Sequence, residues 1–122
     1  MRIGELATRS GVSVRALRYY EEQGLLASMR SPSGQRHYAE EAVEKVRFFQ
    51  DMYAAGLNSR TIARLLPCMD TGLTDTEQRD LLRAEHARID AQIERLVRAR
   101  DRLTEVIGIA EQRAAEAVAA TA

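Results

Sequence analysis

At 122 residues the chain can hold one compact domain, or a small domain with a helical extension. Its single cysteine excludes an intrachain disulfide and a Cys-rich metal cluster, and no apolar run approaches the roughly 20 residues that span a bilayer. With no apolar leader at the N-terminus, the expectation is a cytoplasmic protein without membrane, metal or cofactor.

The balanced net charge hides an uneven distribution: residues 1–66 carry ten Arg or Lys against seven Asp or Glu, and residues 67–122 carry eight against eleven. A cationic module followed by an acidic one fits a nucleic-acid reader with an appendage kept off the phosphates. The first predicted element is a short helix over residues 4–9, with Ile3, Leu6 and Ala7 turned inward and Gly11 closing it in a tight turn. Ser13 is a good cap for a second helix that runs to about Gln23 and stops at Gly24. Stepped at about 100° per residue, Val14, Ala16, Leu17 and Tyr20 fall on one face, and Arg15, Arg18, Tyr19 and Glu22 on the other. Residues 25–30 and 35–38 read as two short strands joined by Pro32-Ser33-Gly34. A third helix is expected from about Glu40 to Ala55, with an acidic first turn, a buried stripe of Val43, Val46, Phe49 and Tyr53, and Gly56 at its end. Asn58 caps a fourth helix whose Ile62, Leu65 and Leu66 point inward before Pro67 stops it. Cations, phenols and a narrow hairpin thus follow one another within residues 3–38, in the order a duplex-binding winged helix needs.

Beyond a linker or hinge at residues 67–76, Thr74-Asp75-Thr76-Glu77 reads as a capping box that starts a long helix over residues 77–112. Leu82, His86, Ile89, Ile93, Leu96, Arg100, Leu103, Ile107, Ala110 and Ala114 alternate spacings of four and three, which is a heptad seam. Such a stripe requires a partner helix that the rest of the chain is too short to supply, so a homodimer is expected, with Leu82, Ile89, Ile93, Leu96, Leu103 and Ile107 as its contacts. The Ala-rich residues 113–122 are expected to fray.

Several of these segments carry a recognisable pattern: Arg2-Ile3-Gly4-Glu5-Leu6-Ala7, Val14-Arg15-Ala16-Leu17-Arg18-Tyr19-Tyr20-Glu21, Gly24-Leu25-Leu26, Gly34-Gln35-Arg36-His37-Tyr38 and Ala55-Gly56-Leu57. On these residues the chain resembles the MerR family of bacterial transcriptional regulators, closely over residues 2–66 and only in kind over the long helix. The resemblance implies a mostly α fold: a winged helix-turn-helix DNA-binding domain at residues 1–66, then a long antiparallel coiled-coil dimerisation helix. It further implies a homodimer on a pseudo-palindromic operator in double-stranded promoter DNA, with RNA polymerase at the same promoter and DNA distortion as the switch. An architectural, excisionase-like DNA-bending protein is the alternative. No nucleophile–base pair or metal-ligand spacing supports an enzyme.

In that frame Arg15 and Arg18 lie on the helix expected in the major groove, where Arg contacts phosphate or the guanine edge. Tyr19 is expected on a phosphate, and Ser13 combines capping with a contact through the helix N-terminus. Tyr20 is either a phosphate donor or a core residue. Arg36, two residues past the Gly34 turn, is placed to reach the minor groove or its phosphates. Tyr38 is expected on a phosphate too, with packing against the third helix competing. His86 and Arg100 interrupt the seam and read as register control, meeting acidic partners such as Glu85, Glu94 or Glu105. Cys68 is weighed as a thiol sensor beside the hinge against a small buried hydrophobe, and the latter is favoured.

Overall fold

A computed structural model describes residues 1–121, and its contacts divide the chain into two compact units, Met1–Arg79 and the remainder from Asp80. In the first unit α1 (Ile3–Ser10) and α2 (Val14–Glu22) are joined by a turn at Gly11, whose left-handed φ of 73° lets its N–H donate to the Ala7 carbonyl. No side chain with a Cβ adopts that angle cheaply. Ser13 caps α2 by accepting from the Ala16 N–H at 3.1 Å. Next come β1 (Met29–Arg30), β2 (Arg36–His37), α3 (Ala42–Ala54) and α4 (Ser59–Thr71).

The helices close on one core. Leu6 of α1, Leu17 of α2, Val46 and Phe49 of α3 and Ile62 of α4 are completely buried, with Leu25, Leu26, Leu57 and Leu65 around them. Each helix contributes a narrow apolar stripe, and α1 packs on both α2 and α3 while α4 packs on α3. Burial of that stripe against its neighbours, more than local propensity, holds helices this short.

Four sequence expectations are corrected. The strands are two residues long each, pairing Met29 with His37 and Arg30 with Arg36. Leu25 and Leu26 belong to the core instead, their N–H groups both donating to the Tyr20 carbonyl at the end of α2. Pro67 does not end α4 but lies inside it. The missing N–H costs the bond to residue 63, yet Ala63 and Pro67 are both exposed, so water can serve that carbonyl. The Lys45–Asp70 bridge at 2.9 Å ties the extra turn back to α3, and Gly72 closes the helix with its N–H on the Cys68 carbonyl. Residues 67–71 are therefore helical, and Cys68 sits half-buried on α4.

The capping box before the long helix is shifted by one residue. Asp75 accepts from the Gln78 N–H at 2.7 Å while Gln78 accepts from the Asp75 N–H at 3.0 Å. Finally, α5 (Thr76–Thr121) runs as regular helix through the Ala-rich stretch expected to fray, Ala122 lying outside the described residues. Alanine's high helix propensity is the physical reason.

The second unit is the body of α5 alone. None of its described residues is buried, and the apolar stripe lies open: Leu82 is 37% exposed, Ile93 52%, Leu96 62%, Leu103 61% and Ile107 54%. Within the single chain His86 and Arg100 lie beside acidic side chains of their own helix, Asp90 at 3.4 Å and Asp101 at 3.6 Å.

Candidate nucleic-acid interface

The two faces of α2 separate as its periodicity requires. Leu17 and Tyr20 are buried against the core, whereas Arg15, Arg18, Tyr19 and Glu22 are exposed. The exposed face is therefore held by a buried one, and its guanidiniums need no side-chain partner within the fold to stay outward. Ser13 lies at the free N-terminal end of this helix, where unpaired N–H groups favour an anion.

Tyr19 does not stand alone. Its hydroxyl lies 3.5 Å from the Ser59 hydroxyl at the start of α4, and Ser59 is bonded at 2.5 Å to the Tyr53 hydroxyl of α3. Tyr53 stacks on Tyr20 with the rings 5.7 Å apart and 13° from parallel. Ser13, Arg15, Tyr19, Tyr20, Gln50 and Tyr53 line a shallow hollow of about 500 Å³ on this surface. Tyr53 and Ser59 were missed as parts of the site from sequence. The first looked like one more apolar position of α3, and the second carried no pattern of its own.

The wing is built by turn chemistry. Pro32 presets the first turn angle, the Gly34 N–H donates to the Ser31 carbonyl at 2.8 Å, and Gly34 takes a φ of 85°. Arg30 donates to the Gly34 carbonyl at 3.0 Å, so the turn is fastened by its own strand. Arg36 projects from the return strand with its side chain 50% exposed, and its Nη1 donates to Glu21 Oε2 at 2.9 Å. His37, next to it on the same strand, is half-buried.

Two residues grouped with the phosphate donors are buried. Tyr20 is 3% exposed and its hydroxyl accepts from Gln50; Tyr38 is 3% exposed and its hydroxyl donates to Glu21. Both are core side chains with satisfied polar ends, which is how buried tyrosines are ordinarily accommodated. Glu21 was not singled out as a site residue. Its role depends on two partners 15 and 17 positions along the chain.

Burial first, and then the bond to the Glu21 carboxylate, push the Tyr38 hydroxyl up to about 12. The neutral phenol is thus favoured in the folded state, so its contribution to stability is intact below about pH 10 and is lost as pH rises toward 12. The expected loss is about 3 kcal/mol, read as a fall in the urea midpoint across that window. Tyr38→Phe should flatten the fall; an equally steep one would refute the assignment.

Among the described residues no group of three or more His, Cys, Asp or Glu could hold a metal ion, and no helix is long and apolar enough to cross a membrane. What the outer face of α2 offers is two cations, the Tyr19 phenol and a helix N-terminus, a chemistry suited to phosphate oxygens.

Residues 1–68 match the model of a family described as MerR HTH family regulatory protein. The chain is 41% identical over 103 residues to nodulation protein NolA of Bradyrhizobium sp. (strain NC92), covering 84% of this chain and 41% of that protein. It is 32% identical over 108 residues to the HTH-type transcriptional regulator HmrR of Rhizobium leguminosarum bv. viciae, covering 88% of this chain and 84% of that one. The chain spans less than half the length of the NolA proteins it matches. Among solved structures, a putative MerR family transcriptional regulator from Listeria monocytogenes superposes with a TM-score of 0.76 at 30% identity, covering 88% of this chain and 83% of that one.

Proposed function

Because this chain belongs to the MerR family of helix-turn-helix regulatory proteins, we propose that it controls transcription by binding promoter DNA as a homodimer. The observation that carries the reading is the exposed face of α2, with Arg15, Arg18 and Tyr19 outward over a fully buried Leu17. An α-helix of that kind fits the major groove, where Arg reads guanine edges and phosphates, with Ser13 contributing at the helix N-terminus. Arg36 on the wing then reaches the neighbouring minor groove or its backbone.

The open stripe of α5 supports antiparallel pairing of two copies through Leu82, Ile89, Ile93, Leu96, Leu103 and Ile107. Two reading heads related by a dyad fit a pseudo-palindromic operator. Distortion of that operator is the proposed switch for RNA polymerase at the same promoter, in the cytoplasm and without catalysis by this chain. The proposed division of labour assigns DNA reading to the module ahead of α5 and pairing to residues 77–112, with the segment between α4 and α5, residues 72–75, as the hinge. Cys68, half-buried beside the hinge, is assigned a packing role.

The test is a footprint and a binding titration on the duplex upstream of the chain's own gene, repeated at several salt concentrations. With six or more phosphates neutralised per dimer, affinity should fall about a thousandfold between 50 and 200 mM salt. A protected dyad-symmetric site with that slope supports the reading; no protection, or a flat salt dependence, overturns it.

A further inference from the structure

Glu21 lies on the DNA-facing module, and elementary electrostatics makes it a nuisance there, since a carboxylate repels phosphate. Its surroundings reverse that expectation. Both carboxylate oxygens are engaged: Oε1 accepts from the Tyr38 hydroxyl and Oε2 from Arg36 Nη1 at 2.9 Å. The Glu21 side chain is only 16% exposed, and Tyr38 is anchored in the core, so the acceptor is itself held still. The Arg36 side chain remains 50% exposed. A guanidinium presents five N–H donors in a planar fork, so one edge can stay on Glu21 while another meets a phosphate.

We infer that Glu21 is a positioning residue for DNA recognition, holding the wing guanidinium of Arg36 in register with α2 before DNA arrives. The inference rests on the promoter-binding reading above. An unrestrained arginine on a hairpin samples many rotamers, and that freedom is lost on binding. Here much of it is already lost on folding, through a relay from the buried phenol to the carboxylate to the guanidinium. The relay joins residues 15 and 17 positions apart in sequence, which couples the wing to the reading helix directly. Pre-ordering of this kind raises affinity for the duplex whose phosphates fit the fixed spacing.

The sign of one substitution decides the matter. Glu21→Gln keeps the side chain's size but removes its charge. If Glu21 merely repels DNA, the variant binds every duplex more tightly. If it positions Arg36, binding to the footprinted upstream duplex weakens about tenfold while binding to a random-sequence duplex of equal length becomes slightly tighter. In an Arg36→Ala background the same substitution should then cost nothing further on the upstream duplex. Tyr38→Phe, which removes only the hydroxyl, should weaken upstream binding in the same direction by less, and it carries the test should Glu21→Gln fail to fold. Unchanged or tighter upstream binding by both variants overturns the inference. So does a loss of the same size in the Arg36→Ala background, which would mean that Glu21 acts through the fold. A wild-type chain that holds no duplex overturns both the inference and the function beneath it, whereas a wild type that binds while the variants gain affinity overturns the inference alone.

Discussion

Ile93→Asp is expected to leave the chain monomeric at micromolar concentration and to weaken operator binding by a hundredfold or more. Ile93 is 52% exposed in the single chain and lies near the middle of the stripe that runs from Leu82 to Ile107. In an antiparallel pair the middle of one stripe meets the middle of the other. The substitution therefore brings two carboxylates close together among the apolar side chains of the seam. Stripping the hydration from an unpaired carboxylate costs several kcal/mol, and the substitution puts two of them in one interface. Loss of the dimer disconnects the two reading heads, so the second half-site no longer contributes through a high local concentration. Sedimentation and titration on the upstream duplex read the two effects separately. A dimer of normal mass and affinity would show that α5 pairs through some other face.

Phe49→Ala should lower the stability of the first unit by about 3–5 kcal/mol. Phe49 is completely buried on α3 and meets Tyr20 of α2 edge-on, with ring centroids 5.5 Å apart. Truncation removes the largest fully buried apolar side chain and leaves a cavity beside Tyr20, which the short helices around it cannot close without losing their own contacts. It also removes one support of Tyr20, on which the seating of α2 depends. Chemical denaturation followed by circular dichroism measures the shift, and a midpoint within experimental error of the wild type would refute the assignment of Phe49 to the centre of the core. Since domains of this size are marginally stable, a loss of that magnitude should also reduce the population able to bind DNA.

Much of the local architecture was legible before any coordinate. Ser13 and Asn58 cap their helices as their side-chain chemistry suggests, and Gly11 and Gly56 take the left-handed conformations that end α1 and α3. The split of α2 into an outward Arg15-Arg18-Tyr19 face and an inward Leu17-Tyr20 face followed from periodicity alone. The capping box of α5 was sought one residue too early because Thr74 and Asp75 are both acceptable caps, and only the bond from the Gln78 N–H distinguishes them. Pro67 illustrates a different failure. The rule that proline ends a helix describes a local penalty, and here a bridge from Lys45 to Asp70 and an exposed upstream carbonyl make the penalty tolerable.

The tyrosines mark the boundary between the two kinds of information. All of Tyr19, Tyr20 and Tyr38 are plausible phosphate donors by composition, but only Tyr19 keeps its ring largely outside the core. Helix periods, caps, turns and the apolar stripe of α5 were written in the sequence by itself, because each depends on residues within a turn or two of one another. Which phenol is buried, and which carboxylate steadies which guanidinium, was decided only by tertiary structure. Those contacts join α2 to the wing and to α3 between residues 15 to 30 positions apart, and they exist only once the core has brought the segments together.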